Sequence, residues 1–186
     1  MYFQPEQKRF LSSFNPVLLG FFAFLLIVFR STSEGILPYV FRQWDVLFPF
    51  AIYFGQRRSW VEGILMMLLL SHYYSLASSA PFGVFSFYYL IFFVIARLLS
   101  VVIYASSWFS ILGLMFVMAV LGRLVLPIIA GGFGHAWPVL ALRNWSLMGI
   151  FLNTFLGLLL YWSLGIIDKL TYKAPRINIE LGEDSL

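Results

Sequence analysis

Between Phe82 and Leu99 the chain reads FGVFSFYYLIFFVIARLL, eighteen residues in which Arg97 carries the single charge. Runs of this kind recur along the sequence and constrain the fold more than any motif does. In a bilayer core of about 30 Å, a helix of roughly 20 residues satisfies its backbone amides internally, whereas an irregular or open-edged segment leaves them bare. Composition offers no alternative: 61% of the 186 residues are hydrophobic, 11% are charged, and the mean hydropathy is +0.90. That is too little polar surface to cover a soluble globule. The expected fold class is all-α, a polytopic membrane protein with six transmembrane helices in one bundle.

Proline, glycine and charge punctuation divide the chain into spans near 14–29, 36–54, 60–78, 82–104, 108–126 and 145–167. Together they form a single transmembrane helical domain over 1–167, followed by a polar cytoplasmic tail, 168–186, read as loosely attached. Asn15-Pro16 introduces the first span where proline is tolerated. The second span is the least regular, because Pro38 and Pro49 interrupt it and Arg42 and Asp45 lie inside it. The opening MYFQPEQKRF has the charge-then-apolar order of a signal sequence, but no small-residue cleavage pattern follows, so a retained first helix is expected. Lys8, Arg9, Arg57, Arg58, Lys169, Lys173 and Arg176 fall on one side of the six-span layout, with Arg30, Arg123 and Arg143 on the other. The positive-inside rule then places both termini in the cytoplasm. No internal repeat points to an inverted-repeat transporter.

The same inventory narrows the chemistry. The chain has no cysteine, which excludes a disulfide framework, a thiolate nucleophile, an iron–sulfur cluster and a cysteine zinc site. Its net charge of +4 is spread over tails and short loops, so membrane lipid is an expected partner and nucleic acid is not. His72 and His135, the two histidines, have no metal-ligand spacing with carboxylates, and there is no HExxH or GxSxG. Neighbouring positions such as Ser71 and His72 do not face one another on a helix. No catalytic residue, metal or cofactor is expected, and an intramembrane enzyme built on a histidine is the weakest of the readings.

Ionisable groups at membrane depth are costly unless paired or able to reach the surface, so each requires a partner. The expected network is Arg42, Asp45, Glu62 and Arg97. Asp45 and Arg97 lie at compatible depths for a pair, with Arg42 at i−3 as the rival partner of Asp45, and Arg58 at i−4 holds Glu62. Such a network either serves a proton or ligand or fixes helix packing; packing is the default, because every acid has a cation in reach. Arg123 is expected to snorkel, and Asn153-Thr154 to bond to a neighbouring helix. His72, at the end of a greasy run before SLASSAPFG, is a candidate interior residue. His135, Trp137 and Arg143 in the long connection IIAGGFGHAWPVLALRNW are candidates for contact with a ligand or partner. An interfacial helix with an aromatic belt explains that connection equally well.

The stretch LFPFAIYFGQRRSWVEGILMMLLLSHYYSLASSAPFGVFSFYYLIFFVIARLL resembles the MreD family of small polytopic rod-shape-determining proteins of bacteria. The shared pattern is a helix ending in a basic pair, a glycine-bearing helix, an outer turn of small residues with Pro-x-Gly, and a helix closing on Ala-Arg-Leu. Its landmarks here are Tyr53, Arg57, Arg58, Gly63, Ser78, Ser79, Pro81, Gly83, Ala96 and Arg97. MreD-like sequences commonly carry an aspartate ahead of the turn, where this chain has Ser71, His72, Tyr73, Tyr74 and Ser75. The resemblance implies a bundle similar to the substrate-binding subunits of energy-coupling-factor transporters. It also implies a bacterial inner-membrane location, a non-enzymatic scaffold role in cell-wall elongation, and association with an MreC-like periplasmic protein, the MreB filament and the synthase pair of RodA and a penicillin-binding protein. A homodimer is compatible with it. The alternative function is a substrate-binding subunit of a vitamin-type importer, for which the first helix offers only Gly20-x-x-Ala23 as a small-residue face.

Overall fold

The computed structural model describes residues 5–33, 36, 43–78, 83–102, 108–132 and 147–173. Among these residues there are six helices and no strand: α1 (Pro5–Ser33), α2 (Phe48–Arg57), α3 (Trp60–Ala77), α4 (Val84–Val102), α5 (Trp108–Gly132) and α6 (Leu147–Leu170). α1, α5 and α6 are long and apolar enough to cross a membrane, and α4 is a shorter apolar helix over Val84–Ser100.

The five longer helices close a ring in which α1 packs on α3, α3 on α4, α4 on α5, α5 on α6 and α6 back on α1. The ten-residue α2 fills its centre, packed against α3, α4, α5 and α6 and reaching α1 through the Phe22 and Phe50 rings, whose centroids are 6.3 Å apart. Nine of its ten residues are buried. At 1.5 Å per residue α2 is only about 15 Å long, half of a span, so a helix that ends beside the last turn of α6 begins inside the bundle. The rings of Phe48, Tyr88 and Phe92 pack edge-on and tilted around it, an arrangement that adds about 0.5–1.5 kcal/mol per pair beyond burial. The outward faces are apolar too, with Phe21, Phe24 and Phe29 on α1 and Phe151, Phe155 and Trp162 on α6 all exposed. A bundle apolar both inside and outside fits a lipid surround.

Close packing of α2 depends on missing side chains. A Cβ on Gly55 would sit 2.9 Å from the Ala96 Cβ and 3.0 Å from the Phe93 carbonyl oxygen, and one on Gly63 would run into the Phe93 ring. FGQRR, WVEG and FVIAR are therefore one joint among α2, α3 and α4.

Four expected boundaries shift, the fifth span among them, which was expected to end near 126 and continues through Pro127 to Gly132. The span at 36–54 is not one helix: the chain is irregular over 43–47 and helical from Phe48, with Pro49 in the first turn where its missing N–H costs nothing. The first helix starts at Pro5 rather than near 14, so Pro16 lies inside it. The last helix runs to Leu170, and residues 168–173 belong to the bundle rather than to a tail, since Asp168 and Thr171 are buried.

Candidate functional site: two polar clusters at the ends of a buried helix

The first cluster forms where α2 ends. Arg58, 1% exposed, follows the last turn and pairs with Asp168 on α6. Tyr53 donates to the other oxygen of that carboxylate at 2.5 Å. Asn15 on α1 links the pair: its amide nitrogen donates to Asp168 at 2.9 Å and to the Thr171 hydroxyl at 2.6 Å, and its oxygen accepts from Arg58 at 2.8 Å. Glu62 extends the network, 3.6 Å from Arg58 and 3.2 Å from Lys173. Lys8 completes it from α1, 5.5 Å over the Tyr172 ring. The first and last helices are thus clasped at the same end of the bundle, through a buried ion pair whose polar atoms are almost all matched.

Local sequence explains the positions. Ser59 caps α3, its hydroxyl accepting from the Glu62 amide at 3.3 Å, which sets Glu62 one turn from Arg58. Arg97 on α4 donates to the Arg58 carbonyl at 2.7 Å and lies 5.6 Å over the Trp60 ring. It fixes the turn between α2 and α3, supplying donors to carbonyls that a helix end leaves without partners.

The second cluster forms where α2 begins. One oxygen of Asp45 accepts from the amides of Leu47 and Phe48, both at 3.1 Å, and from the Tyr89 hydroxyl at 2.6 Å. An acid at this helix start and Arg57 in the last turn complement the dipole at both ends. Asn153 on α6 holds the irregular segment: its oxygen accepts from the Asp45 amide at 2.7 Å, and its nitrogen donates to the Gln43 carbonyl at 3.0 Å. Arg123 on α5 donates to the Gln43 side chain at 3.2 Å, and Arg30 on α1 donates to the Trp44 carbonyl at 3.1 Å. Non-helical backbone at this depth is tolerated because it is embedded in protein and its groups are bonded. Among the described residues Gln43 Nε2 and Trp44 Nε1 are buried without a partner.

The structure rearranges the expected network. Asp45 and Arg97 do not pair; α2 lies between their positions, one at its start and the other at its end. The Arg58–Glu62 contact is present as expected. Arg123, expected to snorkel, donates to the Gln43 side chain. Asn153 does join another part of the chain, while Thr154 turns back on its own helix, donating to the Ile150 carbonyl at 2.9 Å. His72 is half-buried, its ring tilted against Tyr73 at 6.5 Å. Arg42, His135, Trp137 and Arg143 lie outside the described residues. Asp168, Asn15 and Tyr53 are the residues that sequence reasoning did not assign to a site; the available signal was Asn15 inside an apolar run.

Among the described residues no group of three or more histidine, aspartate or glutamate side chains is placed to hold a metal ion. Comparisons with family models, curated proteins and solved structures find no match.

Proposed function

We propose that the chain is a non-enzymatic membrane scaffold of the bacterial cell-wall elongation machinery, an MreD-like six-span bundle of the inner membrane with both termini in the cytoplasm. The observation that carries this reading is the convergence of the resemblance's landmarks. Arg58 and Tyr53 form the clasp, Gly63 admits Phe93, Ala96 meets Gly55, and Arg97 fixes the α2–α3 turn. Residues recognised as a pattern in sequence therefore serve one mechanical joint, as suits a protein whose task is to hold a shape and present surfaces. Such a scaffold would join an MreC-like periplasmic protein and the cytoplasmic filament across the bilayer. Affinity purification of the tagged chain from membranes of its host tests this: the reading expects an MreC-like partner in the eluate and loss of rod shape on depletion. Recovery of the chain without such a partner, together with unchanged cell shape, would reject it.

A second reading, the substrate-binding subunit of a vitamin-type importer, is favoured by the irregular 43–47 segment, where a half-length helix begins inside the bundle beside two buried donors that have no partner among the described residues. Broken helices of this sort form binding sites in transporters. Mass spectrometry of the purified protein separates the two, a tightly bound vitamin favouring the importer subunit.

A further inference from the structure

α1 is longer than the bundle it closes. From Asn15, which bonds Asp168 and Thr171 at the end of α6, to Ser33 the helix already covers one bilayer core of about 30 Å. Pro5–Phe14 therefore continues for about 15 Å past the clasp. These turns stand exposed: Phe10 is 71% and Phe14 43% accessible, their rings are stacked at 6.4 Å, and Lys8 and Arg9 are exposed beside them. Glu62 and Asp168 are taken up by Arg58 and Lys173. The exposed charges at this corner are thus Lys8, Arg9 and Lys169 against Glu6, and none of the three cations forms an ion pair among the described residues.

The chain itself supplies a complement within reach. α6 ends in a left-handed cap: Tyr172 has φ 55°, its amide donates to the Lys169 carbonyl at 3.3 Å, and the Lys173 amide donates to the Asp168 carbonyl at 3.0 Å. The helix therefore stops beside α1, with Lys8 5.5 Å over the Tyr172 ring. Residues 174–186, outside the described set, carry the acids Glu180, Glu183 and Asp184 against one cation, Arg176, with Ile177, Ile179 and Leu181 among them. Seven residues separate Lys173 from Glu180, a length that spans up to about 23–25 Å. We propose that the segment 177–184 docks on the projecting turns of α1, its acids against Lys8 and Arg9 and its apolar residues against Phe10 and Phe14. One exposed ion pair is worth only about 0–1 kcal/mol. A tethered partner, however, is present at an effective concentration on the order of 1 mM, so two or three such pairs with an apolar contact are enough to hold it. Docked there, the segment shields the basic corner from other anionic partners. The inference stands independently of the scaffold reading.

The test is thiol cross-linking of the purified full chain, which has no cysteine of its own, in non-ionic detergent and in membranes containing phosphatidylglycerol. Gly182→Cys is paired either with Ser13→Cys, exposed one turn beyond Arg9 on α1, or with Val61→Cys, 69% exposed and next to Glu62, which Lys173 touches. Both partners lie near the start of the segment, but Val61 is off the proposed surface. With rates corrected for the maleimide reactivity of each cysteine, the Ser13 pair is expected to link several-fold faster within one chain. Lys8→Glu with Arg9→Glu should remove that preference, and adding Glu180→Lys, Glu183→Lys and Asp184→Lys should restore it. Equal rates for the two pairs, or a preference indifferent to charge reversal, would overturn the proposal. Links formed between chains would overturn it in favour of a second copy, and a preference present in detergent but lost in the membranes would overturn it in favour of lipid headgroups.

Discussion

Asp168 is the meeting point of the clasp, because Asn15 from α1 and Tyr53 and Arg58 from α2 and its end direct donors at its carboxylate. Removing one partner of a buried pair leaves an uncompensated charge, which costs about 3–5 kcal/mol. Asp168→Ala is therefore expected to lower stability by that amount in denaturant unfolding of the purified protein. Replacing both members with apolar residues, Arg58→Met with Asp168→Leu, should recover much of the loss. Glu62→Gln touches the more exposed part of the same network and is expected to cost only about 0.2–1 kcal/mol. A loss for Glu62→Gln as large as that for Asp168→Ala would show that the charges act as one diffuse cluster rather than through the buried pair. The sequence concealed this residue for a physical reason. Asp168-Lys169 follows the last apolar run and looks like the beginning of a tail, and nothing local indicates that position 168 meets position 15, 153 residues away. By contrast Arg58–Glu62 was legible, since helix geometry alone brings i and i+4 together.

At the scale of elements, α2 determines the architecture. Its sequence, FPFAIYFGQR, is apolar apart from Tyr53 until Gln56 and Arg57 at its end, which suits burial at the centre of a ring but does not say which helices surround it. Asp45, just ahead of its start, and Pro49, in its first turn, were both visible in the sequence as interruptions of a span; the missing information was that a half-length helix begins between them. The Gly55 contact makes a direct prediction. Gly55→Ala forces a methyl against the Phe93 and Arg97 backbone, which cannot yield as a side-chain tip would, and overpacking of this kind costs about 1–3 kcal/mol. Gly113→Ala on α5, with nothing within 4 Å, is expected to be neutral or to gain up to about 1 kcal/mol from helix propensity. Thermal midpoints of the two variants should therefore move in different directions or differ clearly. The start of α2 has its own test. Asn153→Leu removes the acceptor of the Asp45 amide and the donor to the Gln43 carbonyl, at a cost of about 1–3 kcal/mol. Faster hydrogen exchange confined to the segment around 43–47 is the expected signature, and exchange unchanged there would show that Asn153 does not hold the break.

For the whole molecule, hydrophobic patterning was enough to establish the class, because a chain of this composition has few ways to satisfy its backbone other than by helices. The ring order was not legible, since it depends on which helices carry complementary polar residues, and these are few and far apart in sequence. The account holds that the first and last helices close the ring at one end through a buried clasp, with α2 trapped inside. The chain contains no cysteine, so engineered pairs report without background. In Lys8→Cys with Tyr172→Cys, positions that meet across α1 and the end of α6, a short thiol cross-linker applied to intact membranes is predicted to join the two sites within one chain. The same cross-link should fall sharply when Asp168→Ala is added. Two cysteines that each react freely with a maleimide yet never cross-link would contradict the closed ring.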